Sequence, residues 1–151
     1  FLATHPLVDI VAHPWWWMGY WKDADGRYRG DPWLDDFGKI PRSMHAEFAA
    51  AARQHGTVVE ININATLLNP AYPAGFAPQY VEYLVFLREE GVRLSIGSDS
   101  HGPVYGDRLA QDGGVATVER MLDEIGLREQ DLWRPPPRPA GAPREARRGA
   151  S

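Results

Sequence analysis

Strand-like apolar runs alternate with helical stretches along this chain, and that rhythm limits the possible folds more than any other feature. The runs are LVDIVAH (7–13), TVVEINI (57–63) and VRLSIGSD (92–99). The stretches with helical character are PRSMHAEFAAAARQHG (41–56), PQYVEYLVFLREEG (78–91) and VATVERMLDEIG (115–126). The first two helices open on proline, whose missing N–H is not needed in a first turn. All three stop at glycine, which accepts the left-handed backbone of a helix end. In the first helix Met44, Phe48 and Ala51 or Ala52 supply an apolar stripe at helical spacing. The order β–α–β–α–β–α predicts an α/β fold with parallel strands joined by helical crossovers. A doubly wound sheet and a (β/α) barrel both satisfy it.

Side chains alternate along a strand, so each run can be read by face. Val8, Ile10 and Ala12 oppose Asp9, Val11 and His13; Val59, Ile61 and Ile63 oppose Val58, Glu60 and Asn62; Leu94, Ile96 and Ser98 oppose Arg93, Ser95, Gly97 and Asp99. Each strand has one mainly apolar face and one that carries polar groups toward its C-terminal end. Doubly wound sheets are apolar on both faces. The asymmetry favours a barrel with a polar lumen and a site at its C-terminal rim. Three βα units are too few to close a barrel, so the expectation is the C-terminal portion of a larger one.

The barrel portion is expected to span residues 1–133, with a Trp-rich βα loop at 14–40 and a disordered Pro/Arg-rich tail at 134–151. No apolar run reaches the roughly 18 residues a membrane span needs. The net charge of −4 gives nucleic acid no electrostatic footing. The absence of cysteine removes thiolate sites, so any metal must use His, Asp or Glu. It also agrees with the expected cytoplasmic location. Asn64-Ala65-Thr66 fits a glycosylation acceptor, a three-residue pattern common by chance.

Candidate chemistry collects at the strand ends. His13 closes the first run and precedes Pro14, while Asp99 and His101 stand two positions apart just past the third. In an extended segment that spacing points both side chains the same way, as two ligands at a barrel rim would require. Gly, Ser and Asp equally favour a plain polar turn at GSDSHG. The residues alone leave both readings open.

LSIGSDSH resembles the last motif of the PHP (polymerase and histidinol phosphatase) family, written G-S-D-[AS]-H. VDIVAHP is similar to the family's earlier strand ending in a ligating His before Pro, and VVEIN to its Glu-Ile-Asn strand. Order and spacing agree over roughly residues 7–126. The resemblance implies a distorted (β/α)7 TIM-like barrel that hydrolyses phosphoesters with up to three divalent ions of zinc, manganese or iron. It makes His13, Asp99 and His101 metal ligands, with Asp99 and His101 acting in catalysis through the bound metal. Glu60 and Asn62 match the family's strand without being assigned as ligands. The family's opening His-x-His and its middle His and Glu ligands have no counterpart here; the remaining histidines are His5, His45 and His55. The expected partner of this chain is therefore the missing N-terminal half of the barrel.

The chemistry suits such ligands. A divalent ion brings the pKa of bound water to roughly 7 and neutralises charge developing on phosphate oxygens. Ser95 and the Gly97 backbone are expected to hold Asp99 in place. The expected substrate is a small phosphorylated metabolite. In the loop at 14–40, Trp15, Trp16, Trp17, Trp21 and Trp33 would form a lid, a self-packed loop or a partner surface, and Arg42 is the candidate phosphate-binding residue. Two rival readings are a non-catalytic PHP module and an amidohydrolase-type metal hydrolase.

Overall fold

The computed structural model describes residues 2–5, 8–16, 24–25, 27, 34–100 and 108–137. Three strands, β1 (Ile10–Val11), β2 (Val58–Asn62) and β3 (Leu94–Gly97), form one parallel sheet in the order β1-β2-β3. The helices are α1 (Arg42–His55), α2 (Phe76–Glu89) and α3 (Gly114–Ile125). The chain is thus a mixed α/β fold with a small parallel sheet. Pro41 stands at the N-cap of α1, and Gly56 at its C-cap has φ 66°. The second helix begins at Phe76, two residues before the expected Pro78, because proline is equally harmless anywhere in the first turn.

The strand register changes the expected faces. Ile10 aligns with Val58 and Val11 with Val59, while Glu60 aligns with Ser95 and Ile61 with Ile96. Val11, Val59, Ile61 and Leu94 therefore share the face that meets the helices. Ile10 falls on the opposite face with Val58, Glu60, Asn62 and Ser95, although simple alternation had grouped it with apolar Val8 and Ala12. It is 39% exposed there. One core cluster joins Val59, Ile61 and Leu94 to Ala49 and Ala52 of α1, Phe76, Tyr80, Leu84 and Leu87 of α2, and Met121 and Ile125 of α3. Burying side chains of this size stabilises the fold by about 1.5–3 kcal/mol each.

Three arginines tie the helix ends together at the N-terminal edge of the sheet. Arg53 of α1 donates to the Glu90 carbonyl closing α2 (2.9 Å), and Arg88 of α2 to the Gly126 carbonyl closing α3 (2.7 Å). Arg93, just before β3, donates to the Gly56 carbonyl closing α1. Carbonyls at a helix C-terminus lack partners within the helix and carry the negative end of its dipole, so a guanidinium satisfies both needs.

The end of the Trp-rich loop packs inward. Leu34, Phe37 and Ile40 are buried, and the Phe37 N–H donates to Gln79 Oε1 of α2 (3.0 Å). Trp15 Nε1 donates to the Tyr83 hydroxyl (3.1 Å). These described parts follow the self-packed reading; Trp17, Trp21 and Trp33 lie outside the described residues.

His45 sits among the rings of Trp15, Phe37 and Tyr83, with centroids 6.0, 6.1 and 4.8 Å away, and its buried Nδ1 has no hydrogen-bond partner. Burial lowers its pKa below the ordinary 6.5, and a backbone hydrogen bond at Phe37 opposes this only in part. Between the two values the unfolded chain holds a proton that the folded chain does not, so stability falls as pH drops below 6.5. Urea denaturation at pH 7 and pH 5 should show wild type losing more stability on acidification than His45→Gln. Equal losses would remove His45 as the cause.

Candidate functional site

The parallel order brings the ends of all three motif strands to one edge of the sheet. At its centre stands Glu60, partly buried on β2. Its Oε2 accepts from the His13 backbone N–H (3.1 Å) and from Asn62 Nδ2 (3.1 Å). On the other side its carboxylate lies against Gly97 of β3, where a Cβ would overlap Oε1. One carboxylate thus touches the exit of β1, its own strand and the exit of β3. The glycine at 97 is there because the approach leaves no room for a side chain.

The two flanking candidates have unusual backbones. His13 has φ 32° and Asp99 φ 50°, and Trp15 follows at 68°. Left-handed conformations in non-glycine residues cost about 1–3 kcal/mol each and persist only where the surroundings enforce them. At His13 the Glu60 bond and the His13–Trp16 ring contact (4.5 Å) do so. At Asp99 this backbone ends the extended segment, so strand alternation cannot be used to align Asp99 with His101. His101 lies outside the described residues.

Asn62 fixes the β2 exit and Asn64 the β3 exit, and of the two only Asn62 belongs to the motif strands. After β2 the chain makes a single π-helical turn, Ile63–Leu67. Asn62 Oδ1 accepts from the Ala65 N–H (2.8 Å), and the Thr66 hydroxyl donates to the Asn62 carbonyl (2.9 Å). Asn64 Nδ2 donates to the Ser98 carbonyl (2.6 Å) and its Oδ1 accepts from the Arg108 N–H (2.9 Å). Asn64 therefore holds the residue before Asp99. Its committed amide and the burial of Thr66 make the 64–66 sequon unsuited to glycosylation. The usable signal was the run NINATLLN, whose asparagines compete with the backbone for hydrogen bonds and favour non-helical turns.

Two expected roles find no support in the contacts. Ser95, assigned to hold Asp99, makes no side-chain hydrogen bond to any described residue and faces a cavity instead. Arg42 is an exposed residue at the start of α1, with no contact to His13, Glu60 or Asp99. Among the described residues no group of three or more His, Asp or Glu side chains could hold a metal ion. The described donors do not by themselves fit the divalent ions that the family resemblance implies. No helix among the described residues is long and apolar enough to cross a membrane. Comparisons with protein-family models, with curated proteins and with solved structures found no match to the chain.

The Glu60–Gly97 approach predicts a non-additive double mutant. Gly97→Ala forces Glu60 aside and should cost about 1–3 kcal/mol, as overpacking does. Glu60→Ala strands the His13 N–H and the Asn62 amide, at about 1–3 kcal/mol. The double variant should be more stable than the sum of the single losses predicts, with a coupling of about 0.5–3 kcal/mol in urea titrations. Simple additivity would mean that the two residues do not meet.

Proposed function

We propose that this chain forms the C-terminal wall of a PHP-type barrel and supplies part of a metal-dependent phosphoesterase site. The observation carrying this reading is the convergence of His13, Glu60 and Asp99 at one edge of the β1-β2-β3 sheet, with left-handed backbone at both His13 and Asp99. Consecutive strands lie side by side with α1 and α2 packed into the same core cluster, an arrangement that a barrel segment shares with one half of a doubly wound sheet.

In this reading His13, Asp99 and His101 are ligands, and strands from polypeptide outside these residues add the others. Glu60 fixes the β1 exit through the His13 N–H, and Asn64 fixes the β3 exit through the Ser98 carbonyl. Zinc, manganese or iron would be the bound ion, a small phosphorylated metabolite the substrate and the cytoplasm the location. A non-catalytic PHP module is the second reading, favoured by the lack of counterparts in the sequence to the family's opening His-x-His and its middle His and Glu ligands.

Asp99→Asn and His101→Ala, each made in protein containing the complete barrel, should lower bound metal and aryl phosphate hydrolysis together. The loss should exceed the roughly 10–100-fold seen when only a neighbour of a ligand is changed. Plasma mass spectrometry beside the phosphatase assay checks both. Full metal content and full activity in Asp99→Asn would reduce GSDSH to a turn.

A further inference from the structure

The outer strands of an open sheet carry unpaired N–H and C=O groups that another chain can pair with. Along a parallel strand these groups turn toward alternate sides from one residue to the next. The Val58 N–H donates to the Asp9 carbonyl and the Val59 N–H to the Arg93 carbonyl. Asp9 and Val11 therefore turn toward β2 from one side, and Arg93, Ser95 and Gly97 from the other. Ile10 is left facing outward on β1, and Leu94 and Ile96 on β3. The β1 edge is one residue long. The β3 edge is longer and apolar, and is the better template for a second chain.

The C-terminal segment meets that edge. A single 3₁₀ turn, Glu129–Asp131, leads into Leu132, which is extended at φ −75° and ψ 128°. The Trp133 N–H then donates to the Leu94 carbonyl (2.7 Å). Leu132 packs against the core cluster, and Leu132 and Trp133 stand around one cavity with Ile10 and Ile96. The exposed Arg134–Glu129 pair (2.6 Å) adds little. With Leu94 taken, each edge has one outward residue left among the described residues, too few for a ladder. Pro135, Pro136 and Pro137 follow, and proline has no N–H to donate. The segment thus covers β3 without offering a new edge of its own.

We propose that residues 132–135 are an edge guard, a strap that keeps β3 from pairing with a second copy of this chain. With the strap lifted, Leu94 and Ile96 of two copies pair antiparallel about a two-fold axis. The guard needs no metal and does not depend on the phosphoesterase reading. In a closed barrel the β3 edge belongs to the next strand, so there the segment would have to give way.

The test is sedimentation velocity of the 1–151 chain over a concentration series. Trp133→Ala keeps the N–H that meets Leu94, and Trp133→Pro removes it; the backbone of Leu132 already suits a residue before proline. The proline variant should dimerise about tenfold or more tighter than the alanine variant, while wild type stays monomeric. Leu132→Asp, which lifts the segment from the core without altering its backbone donors, should associate as well and covers the case in which Trp133→Pro fails to fold. Ile96→Lys, placed on the reopened edge of either associating variant, should restore the monomer, since edge lysines block strand pairing. Protection of β2 amides from hydrogen exchange checks that each variant is folded. Folded variants as monomeric as wild type would overturn the proposal, as would equal association of the alanine and proline variants or association that survives Ile96→Lys. A wild-type Trp133 amide that exchanges at the unstructured rate would overturn it whatever the variants do.

Discussion

The arrangement of this molecule depends on one carboxylate in the middle of a three-stranded sheet. Glu60 extends from the central strand, takes the His13 N–H from one neighbour and presses against Gly97 of the other. A two-residue strand such as β1 has few ladder hydrogen bonds of its own. The Glu60 bond continues its attachment past the point where pairing stops and holds His13 in a conformation that a free chain avoids. The same carboxylate faces the cavity beneath the C-terminal segment.

The helical side works differently. It is held by volume and aromatic contact: Tyr72 and Phe76 stack at 3.7 Å, and Phe37 from the loop enters a cluster with Phe76, Tyr80 and Tyr83. Arginines close the helix ends at the opposite edge from His13 and Asp99. Aromatic packing and arginine contacts hold the helical face and the N-terminal edge, while His13 and Asp99, with left-handed backbone, stand at the C-terminal edge. A fold that places strain there holds candidate ligands in positions their own backbone preferences would not choose.

Much of this was legible in the sequence because the punctuation is chemical. Proline starts and glycine stops placed the helices to within two residues, and β-branched runs placed the strands. What escaped depended on contacts between segments. The first strand shrank from seven expected residues to two because His13 turns into left-handed backbone, held by a residue 47 positions away. Ile10 was assigned to the wrong side because period-two alternation gives two faces without saying which one meets the helices; only the register with Val58 decides that. The π-helical turn follows no 3.6-residue pattern, since Asn62 and Thr66 create it through side-chain bonds to the backbone. The sequence marks Asp99, but nothing in it shows that Asn64, which holds Ser98 beside it, does more than complete a sequon. The expected boundary between residues 133 and 134 falls within the segment that lines the cavity, because proline-rich composition does not show an edge bond such as Trp133 to Leu94.

The convergence of the strand ends depends most directly on the bond between the His13 amide and Glu60. Native-state hydrogen exchange, followed by NMR at the His13 amide, measures it. The residue lies outside every helix and strand, so nothing in regular secondary structure protects it. Exchange well below the rate of an unstructured chain, accelerated in Glu60→Ala while amides of β2 stay protected, is the predicted result. Exchange at the unstructured rate in the wild-type protein would show that Glu60 does not hold the β1 exit, and the convergence of strand ends would lose its cause.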